Sequence, residues 1–206
     1  MAIGAALLLA ALATGDAAPT ATADEVIART RTTRATYSAY FWNVITLPDG
    51  GTIAEWSAEF HKGPMHRVET PRDRIVANCA DGTGTHFNVM TGELRRAPEV
   101  ARSACGIDAN GAVLSAEVTG QIAHRFAAPG LATALRLVGA EMVRTYTVSP
   151  DGVLLTFGID PVDTGPRLTG WIVALQDRAD DALFSEESLG QSAVPPKYQV
   201  EPDPEA

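Results

Sequence analysis

Two blocks of alternating apolar and polar residues constrain what this 206-residue chain can fold into. The clearest alternation lies in residues 52–61. Its apolar set is Trp56, Ala58 and Phe60, and its polar set is Glu55, Ser57 and Glu59. Successive side chains of a strand point to opposite sides, so each set shares one side. We predict that the apolar set faces the interior and that the polar set faces solvent.

Turn signals rich in Gly, Pro and Asp divide both blocks into short strands. The predicted strands of the first block are residues 40–46, 52–61, 65–70, 74–79 and 86–90. Those of the second block are residues 141–149, 153–160, 167–175 and 182–188. Short strands at this spacing are typical of an antiparallel meander.

The remaining segments lack this alternation. Residues 24–33 carry acids first and bases last, which complements a helix dipole. Residues 98–104, 113–126 and 131–138 are also predicted as helices. Runs of strands separated by helices indicate an α+β fold, with a single curved antiparallel sheet and helices covering one face.

The first 23 residues are typical of a secretory signal peptide. Residues 2–13 form an apolar run that is too short to cross a bilayer. Ala21-Thr22-Ala23 is a small-residue cleavage site. We expect cleavage after Ala23 and a periplasmic location, and a buried N-terminal helix is the alternative. No run of about 20 apolar residues occurs, so the sequence does not predict an integral membrane protein.

Composition narrows the classes of protein further. With 46% hydrophobic residues and a net charge of −9, the chain is not disordered as a whole. The acidic excess argues against nucleic acid as a partner. The two cysteines, Cys79 and Cys105, are predicted to form a disulfide in an exported chain. A metal or redox pair is the alternative, but CxxC spacing is absent and no His adjoins either cysteine.

Motifs for catalysis or cofactor binding are absent from the sequence. There is no nucleophile elbow, zinc-protease motif, phosphate-binding loop or EF-hand loop. We therefore predict no catalytic residue, no metal and no cofactor. His61 and His66 can meet across a hairpin, but the spacing provides no third metal ligand. A solvated strand face is preferred to a hydrolase site for Glu55 and Glu59.

Charged residues cluster at the next hairpin. Arg67, Arg72 and Arg74 lie beside Glu69 and Asp73. This pattern favours ion pairing at the protein surface. In the alternative, the arginines lie at the rim of a cleft and face an anionic headgroup.

The segment WSAEFHKGPMHRVETP (residues 56–71), with Ile75-Val76-Ala77 and Asp81-Gly82 after it, carries a resemblance. It resembles the LolA-like superfamily of outer-membrane lipoprotein carriers, or lipoprotein-localisation factors. In the second half, residues 155–160 and 194–198 fit the same pattern. The resemblance implies an open half-barrel, with helices at its concave face, over residues 24–195. Residues 196–206 then form a Pro-rich acidic tail.

The resemblance also implies a function. It predicts an exported, non-enzymatic protein that binds an acyl chain, a lipoprotein or another elongated apolar ligand in the concave face. The alternative is a protein-interaction or envelope-sensor module with a self-plugged cavity and a protein partner in the envelope. An envelope hydrolase is a weaker alternative.

We predict the ligand site by combining the half-barrel with the strand alternation. The predicted ligand-binding aromatics are Trp42, Trp56, Phe60, Phe87, Phe157 and Trp171. Arg67 and Arg74 are predicted at the rim. The predicted helices of residues 113–138 should cover this surface.

Overall fold

The computed structural model describes residues 21–32, 36–108 and 113–202. Within these ranges it contains two helices, α1 (Ala23–Thr32) and α2 (Pro98–Ala104). The strands are β1 (Tyr37–Thr46), β2 (Thr52–Lys62), β3 (Met65–Glu69), β4 (Asp73–Asn78), β5 (Thr83–Asn88), β6 (Leu94–Arg96), β7 (Val113–Ile122), β8 (Ala132–Gly139), β9 (Met142–Val148), β10 (Leu154–Pro161) and β11 (Arg167–Gln176). Three 3₁₀ turns follow, at Asp181–Phe184, Glu187–Gly190 and Pro196–Tyr198.

All these strands form one antiparallel sheet in the order β6-β5-β4-β3-β2-β1-β11-β10-β9-β8-β7. The two halves of the chain meet in the centre, where β1 pairs with β11 and Trp42 lies opposite Trp171. The edge strands β6 and β7 do not pair with each other, so the sheet is open. The predicted single, open antiparallel sheet is confirmed.

The predicted helices at residues 113–126 and 131–138 are wrong, because both regions form strands. Strand β7 is an edge strand whose register shifts between Val113 and Ser115 and again between Val118 and Gly120. These shifts interrupt the period of two that marks a strand. Strand β8 is rich in Ala and Leu, which favour helices, but its pairing with β7 and β9 overrides that preference.

The predicted strand at residues 182–188 is also wrong. These residues form 3₁₀ turns that begin where the side chain of Asp180 accepts a hydrogen bond from the backbone N–H of Ala182. Phe184 and Leu189 are buried against the sheet. The segment therefore packs on a face of the sheet and does not extend it.

Helix α1 begins with a reciprocal capping box. The backbone N–H of Thr22 donates to the Glu25 carboxylate at 2.7 Å, and the N–H of Glu25 donates to the Thr22 hydroxyl at 3.3 Å. Val26 is fully buried against Leu135 and Leu137 of β8. The predicted signal peptide lies mainly outside the described residues.

Helix α2 packs on the other half of the sheet and is bound to it covalently. Ala101 and Ala104 lie against Ala77 of β4. The disulfide between Cys79 and Cys105 joins the end of β4 to the end of α2. The predicted disulfide is therefore confirmed.

The two faces of the sheet have different covers. We call the face that carries Phe41, Glu59 and Phe157 the helix face, because both helices pack on it. The opposite face is covered over β1–β5 by residues 177–199. We call it the tail face, and it carries Tyr40.

The covering segment reaches beyond the predicted end of the domain at residue 195. The ring of Tyr198 stacks on that of Tyr40, with 4.1 Å between the centroids. The side-chain amide of Gln199 donates to the carbonyl of Val194 at 2.6 Å. The first residues of the predicted tail therefore pack on the sheet. In the described part of the chain, no helix is long and apolar enough to span a membrane.

Candidate functional site

A cavity of about 600 Å³ lies between the helix face and the two helices. Its roof consists of Thr30 of α1, Ser103 and Ala104 of α2, and residues 106–108. The loop of residues 106–108 is held to α1 by a hydrogen bond, because Ile107 donates its N–H to the Thr30 hydroxyl at 3.0 Å. The disulfide holds the same loop to the sheet at Cys105. The roof is therefore anchored on both halves of the sheet.

One wall of the cavity is apolar. It is formed by side chains of β1, β10 and β11, with one residue from the roof. These residues are Phe41, Ile45, Leu154, Phe157, Ile159, Leu168 and Ile107. Gly170 makes room for this wall, because a Cβ atom there would overlap the ring of Phe157. An apolar wall of this kind accommodates the hydrocarbon part of a ligand.

The opposite wall is polar and is formed by β2, β3 and the residues that follow β3. Its members are Glu55, Ser57, Glu59, His66, Thr70 and Arg72. The prediction that Glu55, Ser57 and Glu59 face solvent is therefore wrong. They are half-buried under the helices, whereas Trp56, Ala58 and Phe60 are buried as predicted. The cavity has an apolar side and a polar side.

Glu59 lies in a buried group of titratable side chains. The Tyr37 hydroxyl hydrogen-bonds to its carboxylate, and Nε2 of His66 is 3.9 Å from its Oε2. The ring of His61 stacks on Tyr37 and contacts His66 edge-on, both at 5.4 Å between centroids. The two histidines that the sequence places across a hairpin do meet.

Burial shifts the pKa values of this group. It raises the pKa of Glu59 to about 7, and the hydrogen bond from Tyr37 opposes that rise. It lowers the pKa of His66 to about 3, an effect that the neighbouring His61 strengthens. The pKa of the Tyr37 hydroxyl is raised by its own burial and by the carboxylate of Glu59. At neutral pH the side chain of His66 is therefore uncharged, and Glu59 exchanges between its protonated and its ionised form.

The other charged groups of the cavity already have partners. Arg72 donates to both carboxylate oxygens of Glu55 at 2.9 Å. Arg144 donates to the backbone carbonyl of Asp108 at 2.8 Å. Among the described residues, no group of three or more His, Cys, Asp or Glu side chains is arranged to hold a metal ion.

Of the aromatic residues predicted to bind ligand, Phe157 lines this cavity. Trp42, Trp56 and Phe60 lie together on the tail face, where they pack against the covering segment. Phe87 packs against the same cluster, and Trp171, which is 37% exposed, pairs with Trp42 in the sheet centre. The structure therefore separates the predicted site between two faces of the sheet.

The arginines predicted at the rim also lie on the tail face. Arg67 is fully buried and donates to the carbonyls of Leu183 and Gln191 at 2.7 and 2.8 Å. Arg74 donates to the carbonyl of Leu189 at 2.7 Å. The prediction of surface ion pairing is wrong for Arg67, whose guanidinium holds the covering segment in place.

Two smaller hollows, of about 490 and 410 Å³, lie along the covering segment. The first is lined by Phe184 and Glu186, and the second by Arg67 and Ser188. The rest of the first hollow is formed by β3–β6 and the start of α2, and the second lies between Arg67 and the covering segment. The cavity on the helix face has a greater volume than either hollow, and it has an apolar wall.

Sequence reasoning missed the cavity because alternation defines which residues share a face, not what covers that face. The helix-face residues Asn43, Ser57 and Tyr146 carry no motif. The spacing of His61 and His66 across a turn is a signal that these two side chains meet, but by itself it indicates no cavity.

No family model matches the chain, and neither does any curated protein. Solved structures resemble its fold. A LolA superfamily protein from Nitrosomonas europaea matches at 10% identity and a TM-score of 0.44, over 82% of this chain and 100% of that one. A DUF1329 family protein from Desulfovibrio piger matches at 10% identity and 0.43, over 79% and 94%. An uncharacterized conserved protein from Thermus thermophilus matches at 13% identity and 0.47, over 87% and 98%. One of these three structures, the protein from Nitrosomonas europaea, is described as a member of the superfamily that the sequence resembles.

Proposed function

We propose that this protein binds the apolar chain of an elongated ligand in the cavity of the helix face, without chemical conversion. The observation that carries the proposal is the apolar wall under the helices that contains Phe41, Phe157 and Leu168. At about 600 Å³ the cavity has the size of typical small-molecule sites. Each CH₂ group buried there contributes about 0.8 kcal/mol, so no polar motif is needed for affinity.

The tail face is not the proposed site, because the chain already fills it. Phe184, Leu189 and Val194 cover the aromatic cluster around Trp56. The self-plugged arrangement of the interaction-module alternative thus describes the tail face, whereas the helix face retains its cavity. We propose export to the periplasm as the setting, with removal of residues 1–23, after which α1 lacks its Thr22 cap and its first residue.

The hydrolase alternative has one observation in its favour, the pKa of about 7 at Glu59. Glycosidases need a second carboxyl group about 5 to 9.5 Å away. Glu55 is four residues along the same strand, which corresponds to about 13 Å between Cα atoms. Its carboxylate is also occupied by Arg72. We therefore favour binding over hydrolysis.

Binding can be tested with the neutral fluorescent dye Nile red and two matched variants. Ser57→Trp fills the polar wall and should lower the affinity at least tenfold. Thr169→Trp, at an exposed position of β11, should change it less than twofold. Equal loss in both variants, or none in either, would contradict the cavity as the site.

The ligand itself can be sought by native mass spectrometry of protein purified from an envelope fraction. We expect an adduct that organic extraction releases intact. Recovery of a cleaved product would instead support the hydrolase alternative. Intact mass after the same purification tests cleavage following Ala23.

A further inference from the structure

His66 lines the cavity and carries an unsatisfied hydrogen-bond acceptor. Its side chain is 4% exposed, and one ring N–H donates to the backbone of Ala104. The other ring nitrogen, Nε2, has no hydrogen-bond partner. A neutral imidazole has one donor and one acceptor nitrogen, so Nε2 is the acceptor. A buried acceptor without a donor is costly unless a ligand or water supplies one.

Glu59 presents a second acceptor to the same place. Its Oε2 is 3.9 Å from Nε2 of His66, which is too far for a direct hydrogen bond. The Tyr37 hydroxyl donates to the carboxylate but brings no charge. Over the described ranges, no Lys or Arg forms an ion pair with Glu59, in contrast to Glu55 and its partner Arg72. When Glu59 ionises, its charge is left unbalanced.

When Glu59 is ionised, a group between these two atoms must offer at least two donor hydrogens. A carboxylate offers none and a hydroxyl offers one, whereas an ammonium group offers three and balances the charge of Glu59. Asn43, which is 5% exposed and also lines the cavity, adds a side-chain oxygen without a hydrogen-bond partner. Asn43 lies opposite Glu55 in the β1–β2 register, four residues along β2 from Glu59, while the guanidinium groups of Arg72 and Arg144 are engaged elsewhere.

We infer that the cavity binds a cationic amphiphile whose amine lies between Glu59 and His66 and whose alkyl chain follows the apolar wall. The inference rests on the proposed function, because it requires the cavity to accept an apolar chain. It narrows the proposed ligands from elongated molecules with an apolar chain to long-chain amines. A fatty acid would place its carboxylate beside that of Glu59, which like-charge repulsion disfavours.

The test compares dodecylamine, dodecanol and dodecanoate, each below its micelle concentration, as competitors of Nile red at pH 7. The three share one chain and differ in the polar group. We expect the amine to bind the unmodified protein at least tenfold more tightly than the alcohol, and the carboxylate to bind most weakly. Equal affinities for amine and alcohol would overturn the inference and indicate a water between the two acceptors. A preference for dodecanoate would also overturn it.

Two variants locate the amine. Glu59→Gln should reduce the amine-to-alcohol preference below threefold while the alcohol affinity stays within threefold. Glu117→Gln removes the same charge from an exposed position of β7 and should leave the preference unchanged. Circular dichroism checks that both variants fold, and His66→Leu provides a second reduction of the preference if Glu59→Gln does not fold. An undiminished preference in Glu59→Gln overturns the inference. Failure of Nile red and dodecanol alike to bind the unmodified protein instead contradicts the proposed function.

Discussion

Arg67 donates its Nε–H to Oε1 of Glu69 at 2.6 Å, and both side chains are almost completely buried. The rest of the Arg67 guanidinium binds Ser188 and two carbonyls of the covering segment. Glu69 accepts hydrogen bonds from the Ser192 hydroxyl at 2.8 Å and the Ala193 N–H at 3.0 Å. Through this pair, β3 holds a segment that lies more than 110 residues later in the chain.

We therefore expect Arg67→Met to lower the free energy of unfolding by about 3 to 5 kcal/mol, because it leaves the buried Glu69 with the more distant Arg74, whose Nε is 3.8 Å from Oε2, as its ion-pair partner. Urea denaturation measures the change. Arg95→Met is the matched control, since Arg95 pairs with Glu99 at an exposed site and should change stability by less than about 1 kcal/mol. Similar small effects for both variants would show that the buried pair does not hold the segment.

The disulfide between Cys79 and Cys105 should stabilise the fold mainly by restricting the unfolded chain. It closes a loop of 26 residues, for which chain entropy corresponds to about 3.5 kcal/mol. The double variant Cys79→Ala/Cys105→Ala should lose about this amount in urea denaturation. Reductant should lower the midpoint of the unmodified protein and leave that of the double variant unchanged. If reductant lowered the denaturation midpoint of both proteins equally, the stabilisation could not be attributed to the disulfide.

Glu59 makes stability depend on pH with a definite sign. Its pKa rises from 4.5 to about 7 on folding, so its contribution is fully present below pH 4.5 and is lost as the pH rises through 7. Glutamine does not titrate, so the Glu59→Gln variant does not undergo this loss of stability as the pH rises. Relative to the unmodified protein, the variant should gain up to about 3 kcal/mol between pH 4.5 and pH 8.

The measurement is the difference in unfolding free energy between the two proteins at several pH values. His66 changes the free energy of unfolding in the opposite sense. Because its pKa is lower in the folded protein, the fold loses stability as the pH falls from 6.5 towards 3. To first order, that contribution is common to both proteins and cancels in the difference. A difference that stays constant with pH would contradict the raised pKa of Glu59.

The fold should depend on residues beyond the predicted domain end at 195. A chain that ends at Pro195 loses the stack of Tyr198 on Tyr40 and should be less stable by about 1 to 2 kcal/mol. In the full chain, Tyr198→Ala should reproduce most of this loss in thermal denaturation. Tyr198→Phe retains the ring and should lose little. Unchanged stability of the shortened chain would support the predicted domain boundary at 195.

Local alternation and turn residues were sufficient to predict most of the first half of the sheet. The sequence does not show β7 and β8 as strands, because shifted register and helix-favouring residues obscure the period of two there. Only pairing with β9, itself paired to β10, decides their conformation. The disulfide was predictable from two cysteines in a chain whose first residues are predicted to be a signal peptide.

For β2, the sequence by itself determined that Trp56, Ala58 and Phe60 share one side and that Glu55, Ser57 and Glu59 share the other. Tertiary structure alone decided what covers each side. The covering segment and the helices come from distant parts of the chain, and a period of two specifies only relative orientation. The same packing took Glu59 out of bulk water and placed it beside His66, because both helices close over a face that the strand pattern marks as solvated.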